Sequence, residues 1–220
     1  MLLVVGCGPM GRARPVDLSS PQAAAMSYVK ALQYGDAATA KAACTGTEDE
    51  MRWVDDMATM IRGLRELNSA LYAAFGPISS QMHVDLEESI RSLADEPVEV
   101  FQNAVVHESE NQARVVPQFK GLPTQSQAAL IVSKQKNRWK VDLEQTYLHP
   151  ASRDTLLQMS AQQQGQYLKR QMSKVNATMH PFRVAGEIFS SVARDVRARR
   201  FKTQAAVSQA ISQRVAAQQQ

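Results

Sequence analysis

The spacing of apolar residues changes along the chain from a helical period to a strand period, and this change limits the fold classes open to it. From residue 47 to residue 75, apolar side chains recur at every third or fourth position, as on one face of an α-helix. In the stretch NRWKVDLE, Trp139, Val141 and Leu143 instead alternate with charged residues, as in a strand with one buried face. Helices followed by strands predict an α+β fold.

Capping residues mark where the helices begin and end. Ser20 followed by Pro21 predicts a helix start, because serine caps helix N-termini and proline is favoured in the first turn. Thr47 precedes three acidic residues, which the helix dipole favours in a first turn. Gly35 and Gly76 are the predicted stops of these two helices. On this basis four helices are expected, over residues 20–34, 36–44, 47–75 and 85–94.

The middle of the chain has the pattern of an antiparallel meander. Asn137 lies between the last two predicted strands, and asparagine tolerates the left-handed backbone that a tight turn requires. Together with the helices before them, these strands predict one α+β domain over residues 20–149. The expected strands cover residues 97–107, 112–118, 126–134 and 138–144.

Residues 150–220 are basic and Gln-rich with helical spacing, so we expect a C-terminal helical extension there. His180-Pro181 is predicted to break it, because a proline inside a helix removes a hydrogen bond and clashes with the preceding turn. An apolar stripe resumes at Phe182 and can be followed to Val215, and it is weakest near RARRFK. Whether residues 181–217 form one helix or two stays open.

The charges of the two parts are opposite. Residues 151–220 hold 11 Lys/Arg and three acids, a net +8, whereas residues 1–150 hold 14 Lys/Arg and 18 acids, a net −4. A cluster within the basic part is either a solvated helix face or a site for an anionic partner. Lipid headgroups or an acidic envelope polymer fit that site better than nucleic acid, because aromatic residues for base stacking are sparse. The predicted anion-binding residues are Arg194, Arg197, Arg199, Arg200 and Lys202.

The N-terminal stretch MLLVVGCGPMG allows two functional interpretations besides a plain apolar N-terminus. Gly6, Gly8 and Gly11 match the G-x-G-x-x-G pattern of a dinucleotide-binding turn. That interpretation fails on context, because Pro15 falls where the required helix would run and the segment after it is helical rather than a second strand.

The second interpretation is a lipoprotein signal. Val4-Val5-Gly6-Cys7 resembles the bacterial lipobox, in which a small residue precedes the cysteine that becomes the acylated N-terminus. The charged and apolar segments that normally come first are short or missing here, so residues 1–19 are interpreted as a truncated signal and tether. Cys7 is the predicted lipid-attachment residue, which places the protein in the cell envelope; without a signal it would be cytoplasmic.

Residues 20–147 resemble small exported proteins of the nuclear-transport-factor-two-like superfamily. The resemblance rests on PQAAAMSYVKALQYGDAATAKAACTG at the start and on ENQARVVPQF with SQAALIVSKQKNRWKVDLEQTY at the end. It implies helices packed on the concave face of a curved antiparallel sheet, which together enclose a cone-shaped pocket. By that resemblance Tyr28 and Tyr34 line the pocket. Some relatives are isomerases or dehydratases that use Asp, His or Tyr there, and many others bind ligands or pair with a second copy of themselves.

The residues themselves predict no catalytic site, metal or cofactor. The four histidines are far apart in sequence and none has metal-ligand spacing, and the adjacent acid pairs point in different directions on a helix. The favoured function is therefore a non-enzymatic cell-envelope lipoprotein with a ligand-binding or self-associating domain and a basic helical tail. The alternatives are a pocket enzyme of the isomerase or dehydratase kind, and a cytosolic nucleic-acid-associated protein.

Overall fold

A computed structural model of the chain describes residues 15–76, 81–118, 129–148 and 159–218. Within these ranges the α-helices are α1 (Pro21–Gln33), α2 (Ala37–Ala42), α3 (Glu48–Phe75), α4 (Gln81–Ile90), α5 (Glu96–Gln102), α6 (Ala161–Arg197) and α7 (Gln204–Ala217). Two short π-helical segments cover Arg91–Asp95 and Glu144–Leu148. The strands are β1 (Cys44–Thr45), β2 (Val105–Glu108), β3 (Gln112–Val116), β4 (Leu130–Gln135) and β5 (Arg138–Asp142). The predicted α+β class, with helices first and a helical C-terminal region, is confirmed.

The sheet has the strand order β1-β5-β4-β3-β2. Strands β2 to β5 form the expected antiparallel meander, and β4 and β5 meet in a tight turn where Lys136 and Asn137 have φ of 47° and 62°. Two such residues are the signature of a type I′ hairpin, so the turn at Asn137 is confirmed. The short β1 runs parallel to β5, with Cys44 beside Val141; it was not expected, because Cys44 was placed at the end of a helix.

The predicted phase of β5 is confirmed. Trp139, Val141 and Leu143 are all buried in the main core, while Lys140 and Asp142 on the other face stay partly exposed. The alternation in the sequence therefore reports the two faces of the sheet, one packed against helices and one turned to solvent.

One of the predicted strands is largely wrong. Residues 96–102 are helical, and the strand begins only at Val105. Pro97 lies in the first turn of α5, where a backbone N–H would have no intrahelical partner, so the N–H that proline lacks is not missed. Val98 and Phe101 lie three positions apart on the buried face of α5. A short apolar run such as PVEVF fits either period, and here packing beneath α1 selects the helix.

The predicted break at His180-Pro181 is also wrong, because α6 continues through Pro181 to Arg197. Pro181 lies on the exposed side of the helix. On the opposite side, Met179 and Phe182 pack against Trp53 of α3, and Trp53 Nε1 donates a hydrogen bond of 2.5 Å to Asn176 Oδ1. Packing on both sides of the proline stabilises a helix that local propensity alone would end.

Helices α3 and α6 run in the same direction and cross at two glycines. Trp53 lies beside Asn176 near one end, and the Arg197 side chain reaches the Glu66 carbonyl at 3.3 Å near the other. Between them Gly63 meets Gly186: a Cβ added to Gly63 would lie 2.3 Å from the Gly186 carbonyl oxygen. The two backbones approach this closely because neither residue has a side chain.

The question of one or two C-terminal helices is answered by a turn at residues 198–203. Arg199 adopts φ 55°, and the N–H groups of Arg199 and Arg200 bond the carbonyls of Val196 and Asp195. These are the two hydrogen bonds of a Schellman helix stop, with Arg199 in the position that glycine usually takes. Helix α7 then folds back, and its Val207 is buried in the same core as Val192 and Val196 of α6.

Candidate ligand-binding sites

An interior cavity of about 180 Å³ lies between α1, α3, α5 and the sheet. Its walls are apolar, for example Leu32, Ile61 and Phe101, apart from two tyrosines. Tyr28 comes from α1 and Tyr147 from the π-helical segment after β5, and their hydroxyl oxygens are 3.3 Å apart. The cavity occupies the place that the cone pocket was expected to have, and it is smaller than the roughly 300–1,000 Å³ of typical ligand pockets.

The chemistry of this cavity is that of a core rather than a catalytic site. Burial raises the pKa of Tyr28 and of Tyr147, so both hydroxyls stay protonated at neutral pH. Among the described lining residues there is no His, Asp or Glu to act as a base. The two hydroxyls bond each other, which satisfies both without a ligand.

Tyr34, the second predicted pocket residue, lies outside this cavity. Its side chain is 47% exposed at the end of α1, and the Arg65 guanidinium sits over its ring at 5.8 Å. It is thus separated from Tyr28, which is buried on the other side of the same helix.

Other reactive groups are isolated or inert in the described part of the chain. His107 in β2 and His180 in α6 are exposed, and no group of three metal-ligating side chains occurs among the described residues. Cys44 is buried, and burial raises the pKa of its thiol to about 12. Such a thiol is not a nucleophile at neutral pH. The predicted lipid-attachment residue, Cys7, lies outside the described residues.

The segment that follows the predicted signal is held against the domain from residue 15 onward. Val16 and Leu18 pack on the main core, and the Leu18 carbonyl accepts a hydrogen bond of 3.0 Å from Trp139 N. Of residues 1–19, which were predicted to be signal and tether, residues 16–18 are therefore part of the folded domain, and the predicted role is left only to the residues before Pro15.

The loop between α6 and α7, residues 198–203, together with Arg194 and Arg197 at the end of α6, forms what we call the basic turn. Two of its cations are bound within the protein: Arg200 pairs with Asp195 at 2.8 Å, and Arg197 of the adjoining helix end donates to the Glu66 carbonyl. Asp195 also binds Arg214 of α7, and these guanidinium groups lower the pKa of its carboxyl. The ion pair between Asp195 and Arg214 joins α7 to α6.

The remaining three predicted anion-binding residues are available. Arg194, Arg199 and Lys202 are exposed, and no hydrogen bond or ion pair occupies their side chains within the described residues. Phe201 lies between them in sequence but packs on the core, as Phe189 does. The basic turn therefore offers charge without an aromatic surface for stacking bases.

Sequence reasoning missed a third place, a polar cleft between α3 and the α4–α5 region, which we call the outer cleft. It measures about 650 Å³. Helix α3 supplies one wall and the π-helical segment with its neighbours supplies the other; the charged and aromatic lining residues are Arg65, Tyr72, Glu87, Arg91, Asp95 and Glu99. The walls come from positions 65–72 and 87–99, so only the folded chain brings them together.

The floor of the outer cleft is rigidly held. Arg65 donates to the Gln33 carbonyl at 2.6 Å and to Asp95 Oδ1 at 2.7 Å, and Gln33 Nε2 donates to the same Oδ1 at 2.9 Å. Asn68, the next lining residue along α3, has its Oδ1 buried without a hydrogen-bond partner in the described part of the chain. An unsatisfied buried acceptor costs about 1–3 kcal/mol, which makes this position unusual for a purely structural residue.

Comparison with known proteins leaves the chain without an assigned family. No protein-family model matches it, and no curated protein and no solved structure is significantly similar to it. The resemblance to the nuclear-transport-factor-two-like superfamily stays a prediction from the residues. Among the described helices, none has the length and apolar character required to cross a bilayer.

Proposed function

We propose that this protein is a non-enzymatic cell-envelope lipoprotein, anchored through Cys7, whose basic turn contacts anionic lipid headgroups. The observation that carries the proposal is a set of three exposed cations at one end of the helical hairpin, Arg194, Arg199 and Lys202, which have no partner among the described residues. Each basic residue near an anionic surface adds about 1 kcal/mol of attraction, so an exposed basic patch on an anchored protein adds a second contact with the membrane.

The backbone of the turn supports the same function. A non-glycine residue in the left-handed conformation costs roughly 1 kcal/mol relative to glycine, so Arg199 sits where a residue chosen for stability alone would be glycine. Its side chain instead places a positive charge at the tip of the turn. Strained positions of this kind are found where a side chain has a function to perform.

An anchor at Cys7 would keep the protein at the bilayer surface. From Cys7 to Pro15 the chain spans at most about 28 Å when fully extended. Pro15 would therefore stay within that distance of the bilayer, and an electrostatic contact of the same molecule with that bilayer would become effectively intramolecular.

Vesicle co-sedimentation tests the contact of the turn. The full chain carrying Cys7→Ser, which has no acyl chain, is mixed with anionic vesicles at low and high salt. Each basic residue near an anionic surface contributes about 1 kcal/mol, so replacing Arg194, Arg199 and Lys202 with Gln should weaken binding by roughly 100-fold. Because salt shortens the screening length from about 10 Å at 0.1 M to about 3 Å at 1 M, binding should also disappear at high salt.

A matched variant separates position from net charge. Lys169, Arg170 and Lys174 are exposed residues of the same helix, about 30 Å or more from Arg194 along its axis. Replacing these three with Gln removes the same charge and should leave vesicle binding nearly unchanged. If both triple variants lose binding equally, or if binding resists salt, the basic turn is a solvated helix end and the proposal fails.

The anchor itself is tested in a bacterial host that expresses the precursor with its full leader. Lipid label should enter the wild-type protein and be absent from Cys7→Ser. Equal labelling of the two would remove Cys7 from the proposal.

Two observations weigh against the alternative functions. The interior cavity has no acid or base among its described lining residues, which disfavours isomerase or dehydratase chemistry there. Phe189 and Phe201 are packed on the core, which leaves the basic turn without the stacking surfaces of single-strand nucleic-acid sites.

A further inference from the structure

We infer that the outer cleft binds a short peptide with a free amino group and a free carboxylate. This inference concerns the α3 and α4–α5 surface only, so it stands or falls independently of the lipid anchor and the basic turn.

The charged residues of one wall form a line. Glu87, Arg91, Asp95 and Glu99 follow one another at intervals of four positions and all four line the cleft. In helical backbone such residues lie on one face, so the one positive group, Arg91, has a negative group before it and two negative groups after it along the wall. Arg91 and Glu99 are exposed, and neither has a hydrogen bond or ion pair within the described residues.

The middle residue of the line is positioned for a ligand as well. Both donors that bind Asp95, from Arg65 and Gln33, use Oδ1. Its second oxygen, Oδ2, has no partner among the described residues, and the carboxylate cannot rotate away without losing both bonds. A ligand ammonium near Glu99 therefore has a second, fixed carboxylate oxygen to bind.

The length of the line selects a peptide over a free amino acid. Arg91 and Glu99 are eight positions apart, which corresponds to about 12 Å along an α-helix and somewhat less through the π-helical part. The ammonium and carboxylate of one amino acid are joined through a single carbon and cannot reach both ends. An extended chain of two or three residues, at about 3.3–3.6 Å each, can.

The opposite wall fits the interior of such a peptide. Tyr72 is 56% exposed and presents an aromatic surface for an apolar side chain. Asn68 lies one turn away on the same helix and adds an amide side chain to this wall of the cleft. Charge at both ends, an amide in the middle and an apolar contact together describe a short peptide.

Calorimetric titration of the full chain with four probes tests the inference. The probes are the tripeptide Ala-Leu-Ala, its N-acetyl form, its C-terminal amide and free leucine. Ala-Leu-Ala should bind best, and each capped form should bind about tenfold or more weakly because one charge-assisted contact is lost. Leucine should bind weakest, since it spans only one end of the line.

Two charge-neutralising variants assign the ends. Arg91→Gln should weaken the tripeptide and its N-acetyl form, which carry the carboxylate, and leave the amide form unaffected. Glu99→Gln should weaken the tripeptide and its amide form, which carry the ammonium, and leave the N-acetyl form unaffected. Arg170→Gln and Glu110→Gln, exposed charges outside the cleft, are the matched controls and should change nothing.

Three results would overturn the inference. The first is no heat of binding for Ala-Leu-Ala at millimolar concentration. The second is equal affinity for the tripeptide and leucine. The third is a loss of affinity in Arg91→Gln or Glu99→Gln that is the same whichever end of the probe is capped. Circular dichroism of each variant confirms that the fold is retained, and both residues are exposed, so neither substitution removes a core contact.

Discussion

The crossing of α3 and α6 at two glycines makes Gly186→Ala a sharp test of the fold. An added Cβ at this position would lie 2.4 Å from the Thr59 carbonyl oxygen, and a backbone atom cannot swing aside as a flexible side chain can. To restore a normal separation the helices must move apart by roughly 1 Å, which loosens the packing of Ile188 and its neighbours. Overpacking of this kind costs about 1–3 kcal/mol.

Helix propensity acts in the opposite direction and reduces the expected loss of stability. Alanine is a better helix former than glycine by about 1 kcal/mol, so part of the loss is offset. Because both clashing groups are backbone, we expect the upper end of the range and a net loss of about 2 kcal/mol. Gly165→Ala supplies the matched control, since Gly165 lies in the same helix with nothing within 4 Å of the added Cβ. It should stabilise the protein by about 0.5–1 kcal/mol.

Urea denaturation of the two variants beside the wild type measures both effects. The midpoint should fall for Gly186→Ala and rise slightly for Gly165→Ala, with unchanged slopes. If Gly186→Ala is as stable as Gly165→Ala, the helices do not cross as described and the packing argument is refuted. Gly63→Ala, on the other side of the same contact, should behave like Gly186→Ala.

Two further expectations concern single buried groups. Trp139→Ala should lower the free energy of unfolding by about 3–5 kcal/mol, and Lys140→Ala on the other face by less than about 0.5 kcal/mol; equal denaturation midpoints for the two would contradict the assigned strand faces. In the Cys7→Ser chain, the Cys44 thiol should react with a disulfide reagent at pH 8 about a thousand times more slowly in the folded state than in urea, because its pKa of about 12 leaves almost no thiolate. Equal rates in the two states would show that the thiol is not buried.

Much of the domain could be predicted because its signals are local. Ser20 and Thr47 cap α1 and α3 as expected, and Thr47 forms a capping box with Glu50. Caps depend on three or four neighbouring residues, and alternation along β5 depends on one face of one sheet. Such features can be predicted correctly without knowing how the rest of the chain folds.

The errors fall where distant contacts override local preference. Pro181 predicts a break, yet the contact with Trp53, more than a hundred positions earlier, stabilises the helix through it. Helix α6 ends at a turn in which Arg199 takes the position usually occupied by glycine, so the sequence does not mark the end. The left-handed backbone there is stabilised by the Schellman hydrogen bonds and by Asp195, which binds Arg200 and Arg214. Neither could be derived without knowing which helix faces meet.

The candidate sites divide in the same way. The basic turn could be predicted from the sequence because its five cations lie within nine positions, although only the structure shows that Arg197 and Arg200 are already bound. The outer cleft was invisible, because Asn68 on α3 and the line from Arg91 to Glu99 meet only after folding. The four-residue interval of that line was a usable signal, but its use required a helix assignment through residue 99 that the sequence did not favour.

The parallel pairing of α3 with α6 determines when the chain can complete its fold. Trp53 and its partner Asn176 are 123 positions apart, and closing a loop of that size costs about 4 kcal/mol of chain entropy before any contact is gained. During synthesis the apolar face of α3 therefore emerges early and stays uncovered until the last quarter of the chain has been made. A product that stops before α6 lacks the cover for that face, and its exposed Trp53 and Met57 are available to chaperones and to other unfinished chains.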